Sequence, residues 1–315
     1  MIETIIIFFT ALLLGILLTK LLIPVLRRMK MGQTILADGP SWHNTKSGTP
    51  TMGGLVFLPV ACLSLLGGVT FDKVYVLLCG LLFCLIGALD DGIKILKKRN
   101  MGLTSKQKFA MQVIASCLLA LLLRFPMGVH FVEVPILGNV SMGSLFIPFV
   151  MLFFLAMTNS INLTDGIDGL ATSTCFINAV FLAIAAFVLR EYRDIGQTMI
   201  ALCGVLLAFF IFNSHPAKVF MGDTGALCLG GLLAGAAVVM GLEFAFVVTG
   251  VWFLIETASV IIQTTHFRLT GKRFFKMSPF HHHLELCMWK ETKIVLFASI
   301  VTALACGIML ILLKY

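Results

Sequence analysis

Residues 2–26 read IETIIIFFTALLLGILLTKLLIPVL, and this stretch decides the fold class. It is longer than the roughly 20 apolar residues that a helix needs to cross a bilayer. It lacks the basic segment that opens a cleavable secretory signal, so we expect a membrane helix that is retained. The stretch therefore predicts an integral membrane protein.

The rest of the 315-residue chain has the same character. It is 59% hydrophobic and 12% charged, whereas soluble domains are about 45–50% apolar and 25% charged. This excludes a soluble enzyme, a disulfide scaffold, a coiled coil and a disordered protein. We expect an all-α polytopic fold, a single integral membrane catalytic domain over 1–315, with about ten transmembrane helices. The predicted spans are 2–26, 53–70, 74–93, 108–124, 144–161, 167–189, 196–212, 225–241, 243–265 and 293–313.

The distribution of basic residues predicts the orientation. If the ten spans are correct, 17 of the 23 Lys and Arg residues lie in the odd-numbered connections, which share one side of the membrane. Basic loops are typical of the cytoplasmic side, so we expect both termini outside. The formal net charge of +8 then reflects topology, and we predict no nucleic-acid partner.

One outer connection and the cysteines complete this description. The alternation around Gly138-Asn139 predicts a small periplasmic β-hairpin near 129–140. The nine cysteines have no CxxC spacing, and most lie within apolar runs. We therefore expect them to pack as small apolar side chains, without forming disulfides or binding metal.

The acidic residues are the first functional signal. Asp90 and Asp91 are adjacent, close to the predicted inner end of the third span. Two carboxylates about 6 Å apart repel by roughly 3 kcal/mol at an effective dielectric constant near 20. A helix carboxyl end, which is already partly negative, makes this worse. Such a pair indicates a cation, a shared proton or a catalytic role, although a solvated helix end is the simpler alternative.

Two further polar segments lie on the same predicted face. The stretch 159–170 contains Asn162, Asp165 and Asp168 beside two glycines, and residues 220–225 place Asp223 at the start of the eighth span. Either aspartate of the first segment could simply cap a helix, but one would suffice for that. Glycine-rich helix starts bind anions, and oxygen ligands without cysteine favour Mg²⁺ or Mn²⁺ over zinc. A diphosphate bridged by a metal is therefore expected here.

Other candidates carry weaker signals. His281, His282 and His283 are consecutive, which disfavours zinc because neighbours cannot easily all bind one ion; contacts with phosphate, or acid–base roles, are preferred. Lys46 lies in a loop with Gly and Thr neighbours that suits phosphate but is not a P-loop. Glu256 lies within the ninth span, where an acid is a functional candidate by default, with a pairing to Lys or His as the alternative.

Together these segments resemble the phospho-N-acetylmuramoyl-pentapeptide transferases of the polyprenyl-phosphate hexose-1-phosphate transferase superfamily. The matching stretches are KSGTPTMGG (46–54), ALDDGIK (88–94), NSINLTDGIDGL (159–170), FNSHPAKVFMGDTG (212–225) and SPFHHHLE (278–285). They occur in the expected order across the chain. The last one favours the muramoyl-pentapeptide branch over the N-acetylglucosamine relatives.

The resemblance implies a Mg²⁺-dependent enzyme of the bacterial inner membrane, with its site facing the cytoplasm and a homodimeric assembly. Its substrates would be UDP-MurNAc-pentapeptide and undecaprenyl phosphate, and its products lipid I and UMP. The implied catalytic residues are Asp90, Asp91, Asp223 and His282, with Asp223 as the metal ligand. The implied substrate-binding residues are Lys46, Thr51, Asn162, Asp165, Asp168, Phe220, Gln263, His281 and His283.

Two alternatives and one mechanistic choice stay open from the sequence. A UDP-N-acetylglucosamine:undecaprenyl-phosphate transferase would use the same chemistry. A proton-coupled transporter would place its acids near the membrane midplane at broken helices. For the transfer itself, we expect direct attack by the lipid phosphate, with Asp90 accepting its proton, over a covalent phosphosugar-aspartyl intermediate.

Overall fold

A computed structural model describes residues 2–29, 48–97, 101–129, 131–134, 138–189 and 192–314. Helices dominate these residues, as the apolar composition predicts. Their bounds are α1 (Ile2–Arg28), α2 (Phe57–Ala61), α3 (Phe71–Leu96), α4 (Ser105–Arg124), α5 (Phe146–Thr164), α6 (Leu170–Ile184), α7 (Arg193–Asn213), α8 (Gly222–Val239), α9 (Glu243–Thr249), α10 (Val251–Thr270), α11 (Phe280–Leu286) and α12 (Glu291–Lys314).

The helices confirm an all-α polytopic membrane protein. Within the described ranges, eight helices are long and apolar enough to cross a bilayer, and a ninth crossing would be the pair α9 and α10, which bends by 76°. The predicted second span is shorter, because α2 and its flanking 3-10 turns cover only Gly53–Gly67. Glycines at both ends and Pro59 inside explain why this apolar run does not become one regular helix.

A two-stranded antiparallel sheet, β1 (Phe131–Val134) and β2 (Gly138–Ser141), lies within the predicted hairpin region. Gly138 pairs with Val134, and Asn139 pairs with Glu133. The Gly138-Asn139 dipeptide therefore belongs to the second strand. Gly138 has a positive φ inside the pair.

Helices α3 and α8 approach each other closely at positions occupied by glycine. Helix α8 is buried along nearly its whole length, and α3 packs along it. At Gly87, a side chain would overlap the backbone carbonyl of Asp223, and at Gly80 it would overlap Leu232. Only glycine allows this approach, and the approach brings the acids of α3 to the first turn of α8.

The cysteines are all free, as predicted. Cys79, Cys203 and Cys228 are among those buried in the apolar core. They fill small spaces between helices, which is the packing role expected from their positions.

Candidate active site

Three carboxylates from two helices meet where α3 passes the start of α8. Oxygen atoms of Asp90, Asp91 and Asp223 all lie within 4.8 Å of one another. The hydroxyl and backbone N–H of Thr224 donate to Oδ2 of Asp91 at 2.8 and 2.9 Å, and the N–H of Leu103 donates to Asp90 at 2.8 Å. Asp90 and Asp91 are 3% and 2% exposed, so these donors replace water.

The position of the acid pair within its helix differs from the sequence prediction. The third span was expected to end near residue 93, which would put both acids at a helix terminus. Helix α3 instead continues through Gly92 to Leu96, so the pair lies inside the helix. The helix-dipole argument against the pair does not apply, and the compensation comes from cations.

Those cations are Lys94 and Lys108, which the sequence indicated only as basic residues of the cytoplasmic side. Nζ of Lys94 lies 2.6 Å from Asp90, 3.3 Å from Asp91 and 2.8 Å from Asp223, and Nζ of Lys108 lies 2.9 Å from Asp223. Lys94 could have been found, because it follows the acids by four and three residues on one helix face. Lys108 carries no local signal.

The donor set suits a hard divalent cation. It consists of carboxylate oxygens, without a cysteine or a histidine, which favours Mg²⁺ or Mn²⁺ over zinc. Asp223 is its centre, because Oδ2 faces both lysines while Oδ1 accepts a hydrogen bond from Asn162 at 2.7 Å. Two ammonium groups only partly neutralise the three carboxylates, of which Asp90 and Asp91 are buried and Asp223 is half-buried, so net negative charge remains at the site.

The loop between α5 and α6 supplies the next two acids. Burial and the negative charges of Asp223, Asp91 and Asp168 raise the pKa of the Asp165 carboxyl well above its usual range. Asn162, in the last turn of α5 just before this loop, donates to Asp223 at 2.7 Å, so the loop begins beside the same acidic centre, in agreement with the clustering expected from the sequence.

Asp168 faces a second group of side chains. Its Oδ2 lies 3.1 Å from Nδ1 of His215 and accepts the N–H of Ala217 at 3.0 Å. Glu291, at the start of α12, accepts the N–H of Asp168 at 3.3 Å. His215 and Glu291 were missed by sequence reasoning, because their partners are distant in the chain.

The first inner loop reaches the acids through backbone pairing. The N–H of Phe220 donates to Pro50, and the carbonyl of Phe220 accepts the N–H of Gly53, both at 2.8 Å. A side chain at Gly222 would lie 2.7 Å from Oγ1 of Thr51 and 2.6 Å from Asp91, so Thr51 borders the carboxylate cluster. Lys46 lies outside the described residues.

The three histidines face three different partners. His281 is fully buried beside Glu256, and Nδ1 of His282 lies 2.6 Å from Oε2 of Glu285. Nδ1 of His283 accepts the N–H of Lys276 at 3.2 Å.

Gln263 of α10 holds the segment that leads to these histidines. Its Oε1 accepts the N–H groups of Phe274 and Phe275 at 3.0 and 2.8 Å. Gln263 therefore stabilises the backbone after α10 through Oε1. This oxygen is engaged with the protein, so it is not free to bind a substrate.

Comparisons with known proteins place this carboxylate cluster on its helical membrane scaffold in a class of membrane-embedded transferases. The model of glycosyl transferase family 4 matches residues 73–241. A phospho-N-acetylmuramoyl-pentapeptide-transferase signature matches residues 46–58. This segment contains Pro50 and Gly53, whose backbones pair with Phe220.

Relatives that match nearly the whole chain carry the same name. A phospho-N-acetylmuramoyl-pentapeptide-transferase of Clostridium perfringens is 43% identical over 92% of this chain and 92% of its own. Those of Clostridium beijerinckii and Acetivibrio thermocellus are 44% and 42% identical, each over 93% of this chain and at least 90% of their own. The chain belongs to the phospho-N-acetylmuramoyl-pentapeptide transferase family. It is a membrane transferase of peptidoglycan synthesis, and the transporter alternative is set aside.

Proposed function

We propose that this enzyme transfers phospho-MurNAc-pentapeptide from UDP-MurNAc-pentapeptide to undecaprenyl phosphate and forms lipid I and UMP. The names of the relatives support this donor over UDP-N-acetylglucosamine. The observation that carries the proposal is the position of Asp223, which shares one small space with two acids of α3 and two lysines. Transfer between two phosphates needs such a space, with groups that offset the charge of both substrates.

The proposed cofactor is Mg²⁺, held by Asp223 with Asp90 and Asp91 within reach. When bound, the ion would neutralise phosphate charge and polarise the reacting phosphoryl group. Lys94 and Lys108 act on the same charge from the protein side, since an ammonium group binds phosphate as a point charge. Their contacts with Asp223 keep them next to the reacting groups.

The reaction itself is proposed as one direct step. An oxygen of the lipid phosphate forms a bond to the phosphorus attached to the sugar, while the bond from that phosphorus to the UMP oxygen breaks. Asp90 accepts the proton if the lipid phosphate arrives protonated, and UMP leaves with the electron pair. His282, whose ring is oriented by Glu285, is the second candidate for proton transfer.

The donor is proposed to lie across the loops that border the carboxylate cluster. Phe220 offers a ring for the uracil base, and Asp168 and Asn162 offer polar groups to the nucleotide. The remaining residues of the proposed substrate-binding set are Lys46, Thr51, Asp165, Gln263, His281 and His283. For His281 and Gln263 the role is indirect, because both side chains are engaged with the protein.

The proposed setting is the bacterial inner membrane, with the site facing the cytoplasm. The distribution of basic residues supports this orientation, since Lys94 and Lys108 lie at the site itself. The same orientation would put the strands β1 and β2 in the periplasm and, with the ten predicted spans, both termini outside. We further propose one catalytic domain over 1–315 and a homodimer.

The experiment uses the purified enzyme in detergent with undecaprenyl phosphate and Mg²⁺. Each UDP-sugar is supplied in turn, and released UMP is measured. We expect UMP from UDP-MurNAc-pentapeptide and none from UDP-N-acetylglucosamine; the reverse result would identify the alternative transferase. Isolation of a phosphosugar-aspartyl adduct from donor alone would replace the direct step with a covalent one.

A further inference from the structure

A buried carboxylate in the middle of α10 contacts the first histidine of α11. Oε2 of Glu256 lies 3.1 Å from Nδ1 of His281 and accepts the backbone N–H of the same residue at 3.2 Å. Both side chains are 0% exposed. Nδ1 makes no hydrogen bond among the described residues, so the carboxylate holds His281 by one hydrogen bond at the backbone and lies beside the ring.

This arrangement has a cost that packing alone does not explain. Burying a charged group is unfavourable unless it is paired, and an apolar residue of similar size would fill the same space more cheaply. The backbone contact also satisfies an N–H in the first turn of α11, which has no partner within the helix. The carboxylate therefore holds the start of α11 and, through the backbone, the residue that carries the imidazole.

The other edge of the imidazole supports the loop that carries Asp165. A side chain built at Gly166 would overlap Nε2 of His281, so the ring lies directly beneath this glycine. Nε2 has no hydrogen-bond partner among the residues that the structure describes. Glu256, His281 and the loop between α5 and α6 thus form one continuous contact.

We infer that Glu256 is a positioning residue of the transferase, and this inference rests on the function proposed above. The carboxylate holds the backbone N–H of His281 and so keeps the ring against Gly166. The ring in turn supports the loop after α5, which carries Asp165 and follows Asn162. His281 is buried, so it acts on the donor through the loop and does not touch it.

Two substitutions separate this role from simple packing. In Glu256→Gln the amide oxygen can still accept the backbone N–H of His281, whereas Glu256→Leu has a similar volume and cannot. Glu243 offers a matched control, because it is another buried glutamate, and both of its carboxylate oxygens lack a partner within the described chain. It lies at the start of α9, and the mechanism does not use it.

The experiment records ¹⁵N spectra of the histidine-labelled enzyme in detergent, with the His281 signals assigned by comparison with His281→Asn. We expect the His281 signals to stay close to those of the wild type in Glu256→Gln and in Glu243→Leu, and to move in Glu256→Leu, because the backbone that carries the ring loses its acceptor. We also expect the KM for the UDP donor to rise by about tenfold in Glu256→Leu, the lower range for lost supporting contacts, and to stay within about threefold in Glu256→Gln.

Unchanged His281 signals together with an unchanged KM in Glu256→Leu would overturn the inference. So would an equal rise of KM in both variants, because the amide keeps the backbone hydrogen bond. If Glu256→Leu does not fold, Glu256→Asp can be used, because it withdraws the carboxylate by one methylene group. Unchanged His281 signals in Glu256→Asp would also contradict the inference. The spectra need no turnover, so a wild type that releases no UMP would refute the proposed function and leave the positioning test intact.

Discussion

Nζ of Lys94 lies 2.8 Å from Oδ2 of Asp223 and 2.6 Å from Oδ2 of Asp90, so one ammonium group joins acids of two different helices. A divalent cation bound between these acids would need the same space. Two cations at such distances repel each other. The lysine and the metal are therefore expected to compete for the carboxylates.

The first prediction concerns this competition. Lys94→Gln should bind Mn²⁺ about tenfold more tightly than the wild type, because the substitution removes a competing positive charge. The gain is much smaller than the unscreened repulsion between the two cations, because Lys94 is partly exposed to solvent. Mn²⁺ binding followed by electron paramagnetic resonance checks this. Lys106→Gln, which changes an exposed lysine of the same region, should bind as the wild type does. Weaker binding by Lys94→Gln would show that the lysine supports the metal site.

The second prediction concerns Asp223. Asp223→Asn should lower UMP release by about 100-fold or more and weaken Mn²⁺ binding, because the central carboxylate charge is lost. Asp72→Asn, at the opposite end of α3, is the control and should keep its metal dependence. Near-normal turnover with an unchanged metal dependence would remove Asp223 from the metal site.

The third prediction tests the approach of α3 to α8. Gly87→Ala should lower activity strongly and reduce the free energy of unfolding by about 1–3 kcal/mol, because the new methyl group overlaps the backbone of Asp223. Gly92→Ala lies on the same helix and meets open space. It should be neutral or more stable by up to about 1 kcal/mol. Equal effects of the two substitutions would argue against a tight contact at Gly87.

The fourth prediction concerns the pH dependence of stability. The pKa of Asp165 is raised in the folded protein, so its contribution to stability is present below the unfolded pKa of about 3.9 and is lost as the pH rises through the folded pKa. Asp165→Asn cannot titrate. Without metal, its thermal midpoint should match the wild type near about pH 4 and exceed it increasingly towards about pH 8.

Thermal unfolding in detergent across this range is the measurement. A constant difference between Asp165→Asn and the wild type would mean that the substitution acts through packing alone. Added Mg²⁺ should reduce the difference, because a bound cation offsets the charges of Asp223 and Asp91 that raise the pKa.

Several features were predictable because they depend on local pattern. Long apolar runs identified the membrane helices, and the clustering of acids on one predicted face anticipated the meeting of Asp90, Asp91 and Asp223. The spacing of Lys94 from the acid pair was also readable as a contact on one helix face.

Other features depend on helix packing, which a single sequence does not encode in a readable way. Lys108, His215 and Glu291 reach the site only because distant helices meet there. The 76° bend between α9 and α10 lies inside an unbroken apolar run, so hydropathy predicted one continuous span. The pairing of Glu256 with His281 was one of two alternatives, and only the fold distinguishes them.

The burial of α8 has a consequence for how the enzyme senses its surroundings. In its apolar stretch 89% of residues are covered by protein, against 22% in α1 and 28% in α12. Changes in bilayer thickness or composition act on the outer helices. The helix that carries Asp223 is surrounded by other helices and has little contact with lipid. The chemistry is therefore insulated from the lipid phase that delivers one of its substrates.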